Sequence, residues 1–304
     1  MDEHSQAARQ DDIREKGLSR RLAEGEILIA DGAMGTLLMA KGLKPGSPPE
    51  AWNVEYPQRI AEVHRAYLHA GSQIILTNTF GGSQIKLGRA GKGGQVGEFN
   101  RAGAALAREA AAGRAFVAGD IGPTGEMMAP LGSLTYAEAV DNFAEQARAL
   151  AASGVDLLWV ETMMDLEEAR AAVAGAKQVT TLPVFCSLSF GPGGRTIMGT
   201  GAQQALEGLC PLGLAAVGAN CGEGLDVMDA VLDQMQALAP GVPLIAKPNA
   251  GLPRMVGSEA VYDVGPDEFA KRIGALVARG ARVVGACCGS DPDFIAAIAK
   301  AIRK

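Results

Sequence analysis

This sequence predicts an α/β fold, a single-domain (β/α)8 TIM barrel, and three observations carry the expectation. Eight short apolar or β-branched runs recur along the chain, with Ala-rich, helix-favouring segments between them. Most of these runs are continuous rather than alternating, which is the pattern of parallel strands covered on both faces. Each run ends in a cluster of polar residues or glycines, and in such a barrel these clusters share one mouth.

The expected strands are Ile27–Ala30, Ile74–Thr77, Ala115–Ala118, Leu157–Val160, Val184–Leu188, Ala216–Ala219, Leu244–Ala246 and Val283–Ala286. The helix-favouring segments include Pro57–Ala70, Ala104–Ala112, Ala137–Ala152, Leu166–Lys177, Val227–Leu238 and Glu268–Ala278. Thr135 with Glu138 and Asp165 with Glu168 have the spacing of capping boxes. Asp291 before Pro292 places a cap ahead of a first-turn proline. An open doubly wound sheet is the alternative, but no Gly-x-Gly-x-x-Gly follows the first strand to support its dinucleotide version.

The length of 304 residues suits one barrel over 21–304, preceded by a flexible N-terminal arm over 1–20. A net charge of −6 argues against a general nucleic-acid binder. Met1–Arg21 is polar where an export signal would be apolar. No apolar run reaches the roughly 18–20 residues that span a bilayer. A cytoplasmic protein away from membranes is expected. The 5 cysteines are Cys186, Cys210, Cys221, Cys287 and Cys288, an odd and dispersed set that does not suggest a disulfide framework.

The mouth clusters carry the chemistry. Cys221 after the sixth strand would face Cys287 and Cys288 after the eighth. Three thiolates can hold Zn2+ and leave a fourth position open, a catalytic rather than a closed structural arrangement. Three buried core cysteines, or a vicinal redox disulfide, are the other readings. Zinc suits a thiol acceptor because a free thiol, with a pKa of about 8.5, is mostly protonated near neutrality. Coordination removes that proton and leaves a nucleophile.

Asp31 and Glu161 can bind an amino-acid ammonium, or serve as a helix cap and a strand-end ion pair. Gly32, Ala33 and Gly35 allow close backbone approach to a carboxylate. Asn78, Thr79, Asn220 and Asn249 read either as polar contacts or as ties to the barrel rim, and Asp120 is equally ambiguous. Trp52 and Phe80 offer π faces to a donor cation, or belong to the core. His64 and His69 fall on a helix away from the mouth and read as surface or packing residues. The stretches 81–97 and 251–266 read as long loops, the first a candidate lid.

These residues resemble the homocysteine S-methyltransferase family over about Leu28–Ile298. The carriers are Asp31-Gly-Ala-Met-Gly-Thr36, Leu76-Thr-Asn-Thr-Phe-Gly81, Gly122-Pro-Thr-Gly125, Glu161-Thr162, Gly218-Ala-Asn-Cys-Gly222, Pro248-Asn-Ala-Gly-Leu-Pro253 and Gly285-Ala-Cys-Cys-Gly289. The resemblance implies zinc on Cys221, Cys287 and Cys288. It implies homocysteine bound by Asp31 and Glu161, its carboxylate near Ala33, and Asn220 shaping the same pocket. Ala286 stands where the family motif usually has glycine.

The segments Pro49-Glu-Ala-Trp-Asn53 and Leu131-Gly-Ser-Leu-Thr-Tyr136 look most like short bacterial members that use betaine. Betaine is therefore the expected donor and methionine the product. Gly81-Gly82 after Phe80 is the cobalamin-dependent pattern, where animal betaine enzymes carry a tyrosine. It implies the alternative of a homocysteine-binding subunit served by a methyl-corrinoid protein. A homo-oligomer is expected by family analogy alone. Two further readings are a non-catalytic zinc or redox-responsive module, and a barrel lyase or aldolase that uses Lys247 as a Schiff base.

Overall fold

The structure is a computed structural model that describes residues 17–239, 241–252, 254–256 and 259–303. Residues 1–16 of the expected arm lie outside the described residues. The described chain begins with α1 (Leu18–Ala23), β1 (Leu28–Ile29), α2 (Met34–Ala40), α3 (Trp52–Glu55), α4 (Pro57–Ala70) and β2 (Ile74–Leu76). It continues through α5 (Gln84–Gly88), α6 (Val96–Ala111), β3 (Phe116–Ile121), α7 (Tyr136–Ala152), β4 (Leu157–Met163), α8 (Leu166–Val179) and β5 (Val184–Leu188). Then follow α9 (Ala202–Leu209), β6 (Ala216–Cys221), α10 (Leu225–Leu238) and β7 (Leu244–Pro248). A hairpin of β8 (Arg254–Val256) and β9 (Glu259–Val261) precedes α11 (Pro266–Ala278), β10 (Ala281–Val284) and α12 (Pro292–Ile302).

Eight strands form one sheet in the order β1-β10-β7-β6-β5-β4-β3-β2, and the neighbours pair in parallel. A parallel bridge between Ala30 and Ile74 joins its two ends. At that seam the Gln73 N–H donates to the Ile29 carbonyl at 2.7 Å, while Gln73 Oε1 accepts from the Ile29 N–H at 3.1 Å. The sheet is thus a (β/α)8 barrel, as the sequence predicts.

The continuous apolar runs have a plain cause. Side chains alternate across a strand, and here both faces are covered. Leu28, Ala30, Ile74, Leu76, Phe116, Trp159, Phe185, Ile245 and Val283 fill the barrel interior. Ile29, Ile75, Val117, Leu158, Val160, Val217 and Val284 point outward into the helix layer. Helix α1 sends Leu18 and Leu22 into the interior cluster, so the end of the expected arm packs against the barrel.

Several strands run further than the apolar runs suggest. β3 reaches Ile121, β4 Met163, β6 Cys221 and β7 Pro248, so Asp120, Glu161, Asn220, Cys221 and Lys247 sit on the ladder itself. The sequence pattern stops at the last apolar residue, whereas backbone pairing does not. The expected lid stretch 81–97 contains α5 and a 3-10 turn at Gly93–Gln95, and the expected second loop contains the hairpin.

Thr135 and Glu138 form the expected capping box. Asp165 caps the N–H of Glu167, but Glu168 departs from the expected box, because its carboxylate accepts both the Thr124 N–H and hydroxyl, at 2.8 and 2.6 Å. His69 is exposed, while His64 is fully buried in the packed face of α4. Among the described residues, no helix is long and apolar enough to cross a membrane.

Candidate active site

The three cysteines meet at the C-terminal mouth because two strand ends turn sharply there. Cys221 closes β6 with φ 58°, in the left-handed region that a non-glycine residue rarely adopts. Gly222 follows at φ 75°, and a Cβ there would lie 2.2 Å from the Phe190 carbonyl oxygen. Only glycine fits this corner. Beyond β10, the chain is clasped between two other strand ends. The Ala286 N–H donates to the Asp31 carbonyl at 3.1 Å, and the Cys287 N–H to the Pro248 carbonyl at 2.8 Å. Ser290 Oγ also donates to the Cys287 carbonyl at 2.7 Å.

The result is three half-buried sulfurs within 4.8 Å of one another. Hydrogen bonds from Cys287 and Cys288 outweigh burial and hold the Cys221 thiol down, at about 3. The bond to Cys221 in turn pushes Cys287 well above the usual thiol range and Cys288 up to about 11. The cluster thus favours one shared negative charge and two retained protons. Three clustered thiol donors fit a zinc ion, which takes thiolate ligands and displaces their protons.

Beside the sulfurs lies a charged floor. Lys247, from β7, is 3% exposed. Its ammonium is 3.6 Å from Asp31 Oδ1 and 3.3 Å from Glu161 Oε2. It also stands over the Trp159 ring, 4.9 Å from the centroid, where the π face favours a cation. Burial pulls the lysine down, but Glu161 and Asp31 more than offset this and keep it charged. A lysine held as ammonium is a poor Schiff-base nucleophile, since that chemistry needs the neutral amine. Burial pushes Asp31 up to about 6, against the pull of Lys247 and of the Leu76 N–H, which donates to Asp31 Oδ2 at 2.8 Å. Burial and the charge of Glu161 raise Asp120 well above the usual carboxylate range.

Sulfurs and floor line one cavity of about 600 Å³. Asp31, Gly32, Ala33, Asn78, Phe80 and Glu161 line it as well. Ala33 has its polar groups engaged: its N–H donates to Ser290 Oγ at 3.1 Å and its carbonyl accepts from the Tyr67 hydroxyl at 2.8 Å. The first turn of α2, from Met34 to Thr36, faces the cavity beside it. A Cβ at Gly32 would sit 2.6 Å from Ser290 Oγ, so this corner too requires glycine.

Trp52, Thr79 and Asn220 stand outside that lining. Trp52 is buried against Tyr56, at 4.9 Å between ring centroids, with Arg59 over its face. Thr79 Oγ1 donates to the Asp120 carbonyl at 2.8 Å. Asn220 supports its neighbours: its Oδ1 accepts from the Thr162 N–H at 2.8 Å and the Ser187 hydroxyl at 2.7 Å, and its Nδ2 donates to Thr162 Oγ1 at 2.6 Å. Thr162 has φ 60°, so this bonding holds a strained turn directly after Glu161. Asn78 donates to the Pro49 carbonyl at 2.8 Å and to Asn53 Oδ1 at 2.9 Å. Asn249 donates to the Gly222 carbonyl at 2.8 Å.

Sequence reasoning missed Lys247 as an ion-pair partner, and it missed Ser290, Tyr67 and Glu50. Glu50 is buried, lines the cavity, and accepts the Gly81 N–H at 2.6 Å. Lys247 left one signal, a lysine at the end of an apolar strand, where charge is rarely buried unpaired.

The comparisons with known proteins agree with this geometry. Residues 28–302 match the family model described as homocysteine S-methyltransferase. Methionine synthase of Mycobacterium leprae (strain TN) is 31% identical over 298 residues, which cover 91% of this chain and 24% of that protein. Methionine synthase of Mycobacterium tuberculosis (strain ATCC 25618 / H37Rv) is 32% identical over 296 residues, again 91% and 24%. The chain thus spans about a quarter of the length of these relatives. The metallated homocysteine methyltransferase MmuM from Escherichia coli superposes with a TM-score of 0.77 at 26% identity, over 90% of this chain and 96% of that one. The chain belongs to the homocysteine S-methyltransferase family, enzymes that move a methyl group onto the thiol of homocysteine.

Proposed function

We propose that this chain is a zinc-dependent S-methyltransferase that moves a methyl group from a small onium donor, betaine, to homocysteine and forms methionine. One observation carries the reading: a three-sulfur cluster and a set of buried carboxyls line the same cavity. Cys221, Cys287 and Cys288 would hold the metal. Bound zinc supplies the Lewis acidity that keeps a substrate thiol ionised at neutral pH.

The chain's own groups do the rest. Asp31 and Glu161 attract the amino acid's ammonium, and Lys247 holds both carboxylates in place. The first turn of α2 presents N–H groups to the substrate carboxylate, where the helix dipole favours an anion. Burial excludes water that would otherwise solvate and blunt the thiolate. In the transfer, the sulfur's electron pair forms the new S–C bond while the donor nitrogen takes the pair of the breaking C–N bond. A cationic donor leaves as a neutral amine.

A second donor reading rests on the lining. Phe80 is the aromatic side chain that faces the cavity among the described residues, so a full aromatic cage for a quaternary ammonium is not built there. With the methionine synthase relatives, this supports a methyl-corrinoid protein as the alternative donor.

The test is methionine formation by the purified, zinc-loaded chain with homocysteine and, separately, betaine, dimethylsulfoniopropionate, S-methylmethionine or methylcobalamin. Turnover with betaine is the expected result. Turnover with methylcobalamin alone would replace the onium donor by the corrinoid one. No turnover with any donor, zinc being bound, would count against a self-sufficient enzyme.

A further inference from the structure

Four ionisable side chains meet on the cavity floor, and two of the carboxyls face Lys247, although Asp31 Oδ1, 3.6 Å from that ammonium, is itself without a hydrogen-bond partner among the described residues. Lys247 bridges Asp31 and Glu161. The fourth, Asp120, is 6% exposed, and its Oδ1 has no hydrogen-bond partner among the described residues. Asp120 is nevertheless among the residues that line the cavity.

The backbone of Asp120 is clamped on both sides. Its N–H donates to Thr77 Oγ1 at 3.0 Å, and its carbonyl accepts from Thr79 Oγ1 at 2.8 Å and Gln146 Nε2 at 3.3 Å. It also pairs across the ladder with Trp159, the ring beneath Lys247. A buried carboxyl oxygen without a donor is costly and is satisfied by a ligand that brings an N–H.

Burial beside Glu161 holds the Asp120 carboxyl up, and a cation bound against it would favour its ionised form. Betaine and dimethylsulfoniopropionate bring positive charge but no N–H, so a methyl donor of that kind does not supply a hydrogen bond to Oδ1. A primary ammonium does. We infer that Asp120 receives the α-ammonium of the acceptor and makes the site select amino-acid thiols, while Lys247 is a tethered ammonium that positions Asp31 and Glu161. The inference rests on the reading that the acceptor is an amino-acid thiol.

The experiment uses the full, zinc-loaded chain and two ligand pairs that differ only in the ammonium: homocysteine with 4-mercaptobutanoate, and cysteine with 3-mercaptopropanoate. Dissociation constants are measured by calorimetry for the wild type, for Asp120→Asn and for the smaller Asp120→Ser, with zinc content checked in each. The wild type should prefer homocysteine. Both variants should weaken homocysteine by about tenfold or more, the size of a lost hydrogen bond to a charged group, and leave 4-mercaptobutanoate unchanged. A general structural role would weaken both members of a pair alike, and that result overturns the inference. So does a variant that keeps the full preference. If the wild type instead prefers cysteine over 3-mercaptopropanoate and ignores homocysteine, and the variants lose that preference, Asp120 keeps its role and the homocysteine reading fails. A wild type without preference in either pair overturns the role of Asp120.

Discussion

At the N-terminal end of the barrel, Leu18 and Leu22 of α1 join Leu28, Phe116 and Phe185 in an apolar plug. At the C-terminal end, the barrel strands lead into Asp31, Asp120, Glu161, Asn220 and Lys247, buried but polar, and the half-buried Cys221. The first end gains stability by removing apolar surface from water. The second keeps features that a stability-optimised end would lack: positive φ at Thr162 and Cys221, and an unpartnered oxygen on Asp120. One barrel thus separates the end that holds it together from the end that carries its chemistry, and changes at the two ends should be separable by experiment.

The largest effect is expected at the mouth. Cys288→Ala removes one of three sulfur donors. Zinc affinity and methyl transfer should each fall by more than about 100-fold, with the folded barrel retained. Metal analysis and circular dichroism on the same sample check this. Loss of the fold together with the metal would break the proposed separation.

Leu22→Ala is the converse change. Opening a cavity in the plug should cost about 2–5 kcal/mol in urea unfolding, while the folded fraction binds zinc as the wild type does. Lower zinc affinity in folded Leu22→Ala would show that the two ends are coupled.

The smallest effect concerns His64, which belongs to neither end. It is fully buried, and neither ring nitrogen has a partner among the described residues. Burial pulls it down to about 4 from 6.5. Between these values the unfolded chain binds the proton more readily than the folded one. Stability therefore rises with pH across that window, and His64's contribution is lost as pH falls through about 4. Asp31, held up at about 6, acts in the opposite sense over part of that range. The difference between His64→Leu and the wild type is accordingly what isolates the histidine. The variant should recover roughly 1–3 kcal/mol near pH 4 relative to pH 7. An unchanged difference between the two pH values would refute the burial argument.

The barrel was legible in the sequence because both strand faces are apolar and each strand run is followed by a helix-favouring stretch. Val184–Leu188 emerges with the bounds read from sequence, and Pro57–Ala70 is a helix with the expected bounds. The grouping of Cys221 with Cys287 and Cys288 was legible too, since barrel topology brings the ends of the sixth and eighth barrel strands to one mouth. What did not show was the use of each polar residue. Asn220 read as a pocket contact or a structural tie, and it braces Thr162. Trp52 read as a cation site or a core residue, and its packing against Tyr56 and Arg59 gives it the second role. Lys247 read as a possible Schiff-base lysine and is paired with two acids. These outcomes depend on side-chain directions and distances between strands far apart in sequence, which local pattern does not encode. For His64 the helix position allowed surface or packing, and the structure decides for packing.

The most direct test of the central claim compares methionine formation by the wild type and by Cys221→Ala under identical zinc-buffered conditions, with bound metal measured in both. The zinc-bound wild type should form methionine, and the variant should show neither bound zinc nor methionine above background. Wild-type rates of methionine formation by a metal-free Cys221→Ala chain would contradict that claim.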